Sequence, residues 1–108
     1  MIEKSLTSGS MTMLILKLLS EKDMYGYEMI DILRQKSQNV FELKAGTLYP
    51  LLHGLEEKGM LTAYESDYAG KTRKYYSITK AGSGVLEKKK NEWNAYQKAV
   101  SNVLAMGV

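Results

Sequence analysis

The first ordered pattern along the chain is Met11, Leu14, Ile15, Leu18 and Leu19. Their spacing of i, i+3, i+4, i+7 and i+8 is one face of a helix. Met13 and Leu16 put apolar surface on another side, so this helix is expected to touch more than one neighbour, with Ser8 or Ser10 as its cap. A polar turn at Glu21-Lys22-Asp23 leads to a second helix, from Tyr25 to Lys36, with Gly26, Met29, Ile30 and Leu33 on its buried face. Glycine weakens a helix, and close packing is the physical reason to keep Gly26 there. Ser37-Gln38-Asn39 ends the second helix, and Val40 to Leu43 is a short extended piece.

A third helix begins near Gly46-Thr47 and runs to Lys58, where Gly59 stops it. Leu48, Leu51, Leu52 and Leu55 form its buried stripe, which leaves Thr47, Tyr49, Pro50, His53 and Glu56 on the exposed side. With Thr47 as N-cap, Pro50 falls in the first turn, where proline costs no intrahelical bond. The period then changes. Met60 to Ser66 and Arg73 to Ile78 read as two strands, joined by a glycine-containing tip from Asp67 to Thr72. In the second strand Tyr76 and Ile78 share one face, and Arg73 and Tyr75 the other. Thr79 caps a last helix, Lys80 to Leu104, with Leu86, Trp93, Tyr96, Val100 and Val103 spaced as a seam for packing on another helix. Lys88-Lys89-Lys90 interrupts that seam, which is strongest from Trp93 onward.

Composition narrows the function classes. The 108 residues make one folding unit the default. A chain this short buries about two-thirds of its unfolded surface, so a dimer interface would add usefully to its core. The chain has no cysteine and one histidine, His53, which excludes disulfides, thiolate metal sites and multi-His zinc sites. A reducing, cytoplasmic setting is expected. The longest apolar run, Met11 to Leu19, is about half a membrane span and is interrupted by Thr12 and Lys17. Glu3 and the lack of a small-residue cleavage site argue against a signal peptide.

Charge adds a direction. The formal net charge is +3, but residues 1–67 carry 7 basic and 10 acidic side chains while residues 68–108 carry 8 and 2. The positive half suggests a surface facing a polyanion, nucleic acid before membrane. Three helices, a hairpin with a basic tip and a long helix make a mainly α fold with a small β-hairpin, a winged helix-turn-helix followed by a C-terminal dimerisation helix. The expected division is 1–79 for the DNA-binding unit and 80–108 for the dimerisation helix. A helix fits the major groove, and Lys71, Arg73 and Lys74 on the wing can reach phosphates or the minor groove. The third helix itself is not basic: Lys44 and Lys58 lie near its ends, against Glu42, Glu56 and Glu57. Its first turn offers Thr47 and Tyr49 hydroxyls and backbone N–H groups, which suit phosphate.

Several stretches then match one family in order. They are Tyr25-Gly26-Tyr27-Glu28-Met29, Gly46-Thr47-Leu48-Tyr49-Pro50-Leu51-Leu52, Leu55-Glu56-Glu57-Lys58-Gly59-Met60-Leu61, and Gly70-Lys71-Thr72-Arg73-Lys74-Tyr75-Tyr76-Ser77-Ile78-Thr79 with Gly82. Over roughly residues 12–82 the sequence resembles the PadR family of bacterial transcriptional regulators, in its smaller subclass with a single C-terminal helix. The resemblance implies a homodimer in which each last helix packs on the other subunit, and two helices that meet successive major grooves of a pseudo-palindromic operator in double-stranded DNA. It implies a repressor. It assigns Thr47, Tyr49 and Pro50 to the DNA face of the third helix, and Gly70, Lys71, Arg73 and Lys74 to the wing. Tyr25 goes to the backbone-facing start of the second helix. Lys44, Gly46 and His53 complete the expected DNA-facing set.

Trp93 resembles the tryptophan that, in the multidrug-responsive branch of the family, lines a pore at the dimer centre and stacks on flat aromatic compounds. Its expected neighbours are Met11, Ile15, Leu86 and Tyr96, with Val100 further along the interface. Two readings of Trp93 stand open, interface core or a wall for a flat aromatic effector. Lys89 and Lys90, one turn earlier, would disfavour a cationic ligand if they pointed inward.

Other motifs carry no chemistry. Gly70-Lys71-Thr72 resembles the end of a phosphate-binding loop, but the required first glycine is Glu65 and the segment lies between strands. Glu56 and Glu57 diverge on a helix, His53 has no motif partner, and no nucleophile–base or metal constellation points to an enzyme or a cofactor. Against a DNA-binding regulator stands one alternative, a winged-helix protein-interaction or ligand-binding dimer without DNA readout, kept open by the near-neutral third helix.

Overall fold

The computed structural model describes residues 9–107, so Glu3 and Ser8 lie outside the described residues. In chain order the elements are α1 (Met11–Glu21), β1 (Met24–Tyr25), α2 (Gly26–Lys36), α3 (Ala45–Glu57), β2 (Leu61–Tyr68), β3 (Lys71–Ile78) and α4 (Lys80–Leu104). This is the winged helix-turn-helix expected from the pattern, with one added strand. The sheet has the order β1-β3-β2, and both pairings are antiparallel.

The core forms where the helix stripes meet the inner face of the sheet. Ile15, Leu16, Met29, Leu48, Leu52 and Leu61 are its fully buried side chains, and Met11, Leu19, Met24, Leu33, Leu55, Tyr76 and Leu86 complete it. On α1 the centre of burial sits at Ile15, Leu16 and Leu19, while Leu14 and Leu18 are only half-buried. Leu16, assigned from spacing to a secondary side, is thus part of the main core. On α3, Leu51 is likewise half-buried beside Leu48, Leu52 and Leu55. Truncating any of the fully buried leucines to alanine would cost about 2–5 kcal/mol.

The termini of the elements explain their bounds. Helix α3 starts one turn earlier than the sequence suggests: its N-cap is Lys44, in extended backbone, and Thr47 and Leu48 both donate their N–H to the Lys44 carbonyl. Thr47 is therefore inside the helix and not its cap. Pro50 lies in the second turn, where it removes the bond that residue would give to the Gly46 carbonyl. At the other end, Gly59 at φ +77 donates to Glu56 and Met60 donates to Leu55, the paired bonds of a Schellman stop. The same pattern closes α2, where Gln38 and Asn39 take positive φ and donate to Gln35 and Arg34. Val40 to Leu43 forms no strand.

The hairpin is longer and its tip tighter than predicted. Register runs from Leu61 opposite Ile78 to Tyr68 opposite Lys71, which leaves only Ala69 and Gly70 in the loop. Both have positive φ, +53 and +80, the backbone of a type I′ turn. Helix α4 spans the expected residues, and Thr79 caps it by accepting the Gly82 N–H at 3.0 Å. It packs on α1, and Gly82 and Leu86 are its buried residues.

Candidate nucleic-acid interface

The exposed side of α3 carries Gly46, Thr47, Tyr49, Pro50 and His53, as the stripe of buried leucines requires. Its opening residues, Ala45 and Gly46, have the N–H groups that a helix start leaves without an intrahelical partner. Gly46 has no heavy atom within 4 Å of where a Cβ would sit, so packing inside the chain does not demand a glycine there. Lys44 stands exposed at the cap. His53 Nε2 lies 3.1 Å from a Glu57 carboxylate oxygen one turn on, and both side chains are open to solvent.

Tyr49 leans from α3 onto the start of α2. A Cβ on Gly26 would collide with the Tyr49 hydroxyl and lie 2.6 Å from its Cζ. The close packing expected at Gly26 is thus present, and its partner is a residue of the candidate interface. Burial raises the Tyr49 phenol above its ordinary range, with smaller contributions from Tyr27 and Tyr76. At neutral pH the hydroxyl is a proton donor.

Tyr25, next to Gly26, is both the N-cap residue of α2 and half of β1. The Arg73 guanidinium sits over its ring, 4.3 Å from the centroid. A line of contacts therefore runs from Tyr49 on α3 through Gly26 and Tyr25 to Arg73 on the wing. Lys71 is exposed at the wing tip beside Gly70, and Lys74 Nζ lies 5.5 Å from the Tyr76 ring on the opposite face of β3. Among the described residues, no carboxylate forms an ion pair with Lys71, Arg73 or Lys74.

Sequence reasoning missed β1 and what it assembles. Met24 and Tyr25 pair with Tyr76 and Tyr75, which carries Tyr25 onto the outer face of the sheet. There Tyr75 meets Tyr25 edge-on at 5.6 Å between centroids and Tyr64 in a stack at 5.8 Å. Tyr64 donates its hydroxyl to Asp23 at 2.6 Å, and that bond raises the Tyr64 phenol from its ordinary value. The alternation of Arg73 and Tyr75 was visible in the sequence; the two-residue strand opposite them carries no periodic signal.

A second site lies on α4. A cavity of about 340 Å³ is lined by Gly9, Ser10, Met13, Lys89, Glu92, Trp93 and Tyr96. The Trp93 and Tyr96 rings stand 6.5 Å apart and tilted by 33°. Of the neighbours expected for Trp93, Tyr96 is present. Met11, Ile15 and Leu86 instead lie in the buried core of the chain. Lys89 and Glu92 both reach the cavity, whereas Lys90 is 3.6 Å from Glu87. Beyond it Val100, Val103, Leu104 and Met106 are exposed, Val103 at 67% and Leu104 at 80%. Among the described residues there is no group of acidic, His or Cys side chains that could hold a metal ion. No helix among them is long and apolar enough to cross a membrane.

A helix whose exposed side leads by contact to a cationic wing defines a winged helix-turn-helix protein. The chain belongs to the PadR-like family of transcriptional regulators, whose pattern matches residues 15–88. It is similar to a transcriptional regulator from Clostridium thermocellum, at 31% identity and a TM-score of 0.87, over 94% of this chain and 97% of that one. A PadR family transcriptional regulator from Eggerthella lenta is 32% identical with a TM-score of 0.83, over 95% and 88%. An uncharacterized protein of Lysinibacillus sphaericus is 37% identical over 86% of each chain. Proteins of this family are transcriptional regulators and not enzymes.

Proposed function

We propose that the chain is a homodimeric repressor that binds a pseudo-palindromic operator through α3 and the wing, and that a flat aromatic effector releases it. The observation that carries the DNA reading is the contact line Tyr49–Gly26–Tyr25–Arg73. It joins the exposed side of α3 to a wing whose cations have no acidic partner among the described residues. Thr47, Tyr49 and the first N–H groups of α3, with Lys44 at its cap, suit phosphate and fix register. Pro50 and His53 face the groove with them, and open space at Gly46 admits a close approach of the DNA. Lys71, Arg73 and Lys74 supply the salt-dependent part of the affinity, with Gly70 shaping the tip that carries them.

Dimerisation rests on the far half of α4. Tyr96, Val100, Val103 and Leu104 make an apolar side that the single chain leaves open, and a second α4 is its natural cover. The effector reading rests on the cavity beside Trp93, whose two aromatic walls suit a planar ligand. The cytoplasm is where such a regulator works.

Retardation of duplex DNA, with the chain's own upstream region as first probe, tests the reading over a series of salt concentrations. Binding should weaken steeply with salt. Absence of any salt-dependent retardation would overturn the DNA reading and favour the second one, an interaction or ligand-binding dimer, for which the weakly charged α3 is the supporting observation. Quenching of Trp93 fluorescence by a panel of flat aromatics tests the effector part separately.

A further inference from the structure

The outer face of the sheet holds a row of tyrosines whose place in the molecule is not explained by the core. Tyr25, Tyr75 and Tyr64 are cross-strand neighbours on β1, β3 and β2. All three point away from the buried side formed by Met24, Tyr76 and Leu61. Tyr64 is 44% exposed, so the row buries too little to be a second core. Its two ends are fixed differently. Tyr64 is tied by its hydroxyl to Asp23, just before β1. Tyr25 carries the Arg73 guanidinium.

We infer that Tyr75 and Tyr64 are positioning residues for Arg73, and that the row Tyr25–Tyr75–Tyr64, tethered at Asp23, holds the wing guanidinium in place for a DNA phosphate. The inference rests on the DNA reading above. A free arginine on a hairpin loses much rotamer freedom when it engages a phosphate. Stacked on Tyr25 it has lost that freedom beforehand, while its in-plane N–H groups stay available. Tyr25 can serve as a platform only if its own ring is held. β1 has just two residues, so the backbone alone anchors it weakly, and the Tyr75 edge contact supplies the support. Tyr64 backs Tyr75 by stacking.

The acids nearby complete the device. Asp23 accepts from Tyr64, and Glu28 pairs with Lys22 at 2.7 Å. Both carboxylates are thereby engaged close to the row, and Arg73 has the aromatic face in place of an internal salt bridge. A guanidinium paired to a carboxylate would have to break that pair before meeting phosphate. A stacked one does not.

The test is fluorescence anisotropy with duplex from the chain's own upstream region, at several salt concentrations, for wild type, Tyr75→Leu, Tyr75→Phe, Tyr64→Phe, Arg73→Ala and the double variant Tyr75→Leu/Arg73→Ala. The Arg73 Nε–H resonance of each free protein that retains Arg73 is recorded alongside, because a proton over a ring is displaced by its ring current. Tyr75→Leu should weaken binding roughly two- to fivefold, the worth of an exposed cation–π contact, and move the Arg73 resonance toward its unstacked position. Tyr75→Phe should behave as wild type. In the Arg73→Ala background Tyr75→Leu should have no further effect. Tyr64→Phe, which removes one hydroxyl from a solvent-facing ring, should move the resonance the same way by less and remains informative if Tyr75→Leu fails to fold. An unmoved Arg73 resonance in both Tyr75→Leu and Tyr64→Phe, or an equal loss of affinity with and without Arg73, overturns the inference and leaves the DNA reading intact. A wild-type chain that binds no duplex overturns both.

Discussion

Tyr49 reaches from α3 to rest on the backbone of Gly26 at the first turn of α2, so closely that a Cβ there would lie 2.6 Å from Cζ and 2.9 Å from Cε1 of the ring. Gly26→Ala must push the ring aside. Because Tyr49 is a long, partly exposed side chain, the cost to the fold is expected at the low end of overpacking, about 1 kcal/mol. The loss of DNA affinity should be larger than that if Tyr49 belongs to the proposed DNA interface. Urea denaturation and DNA titration of the same variant separate the two, and equal losses in both would show that Tyr49 does not bear on DNA.

Two glycines of α4, two residues apart, should respond in opposite ways to alanine. A Cβ on Gly82 would run into the Met60 carbonyl oxygen and lie 2.9 Å from Ile78 Cγ1. Backbone cannot swing away, so Gly82→Ala should destabilise by about 2–3 kcal/mol. Gly84 has open space around it, and Gly84→Ala should stabilise by up to about 1 kcal/mol through helix propensity. Chemical denaturation of both variants checks the contrast.

The open side of α4 predicts a concentration-dependent assembly. Replacing Val100 and Val103 together by glutamate should place charges in the proposed seam and yield monomers, seen by analytical ultracentrifugation. The winged domain should keep its helical signal, because neither valine belongs to the core. A wild-type chain that stays monomeric at high micromolar concentration would remove the dimer reading.

Stability should fall on the alkaline side. Tyr64 is raised by its hydrogen bond to Asp23, Tyr49 by burial, and Lys22 by its bond to Glu28. Each group holds its proton more tightly when folded, so its contribution is full below the ordinary phenol or amine pKa. That contribution is lost as pH rises through the folded value, from about pH 10 upward. Glu21, lowered by Lys17, acts in the opposite sense, and its contribution fades as pH falls through the carboxylate range. Denaturation midpoints between pH 8 and 11 for wild type and Tyr64→Phe should show a shallower alkaline decline in the variant.

Which parts of this were readable from the chain follows from the length of each signal. Helix α4 was legible to the residue because a long periodic pattern follows a threonine cap. The start of α3 was not. Thr47 and Pro50 together imitate a helix opening, but the helix begins at Ala45 despite the poor cap Lys44. At the hairpin, Ala69 hides the turn, since alanine carries no signal for positive φ. The tyrosine row needs β1, and two residues cannot show a period. Met11, Ile15 and Leu86, expected beside Trp93, lie in the core, because spacing along a helix does not say how far along α4 the core ends and the Trp93 cavity begins.

The Met60 carbonyl has a further meaning. It accepts the Thr79 N–H at 3.0 Å and is pressed by the Cα of Gly82, while Thr79 Oγ1 donates to Gly59 at 2.7 Å. The stop of α3 and the root of α4 are therefore one welded joint, made of main chain and a single hydroxyl. A tilt of α4 that left α3 in place would have to break these contacts. In a dimer held by α4, the distance between the two α3 helices becomes a property of that joint, and a ligand that pries the α4 helices apart would act on DNA through a lever with its fulcrum at Met60.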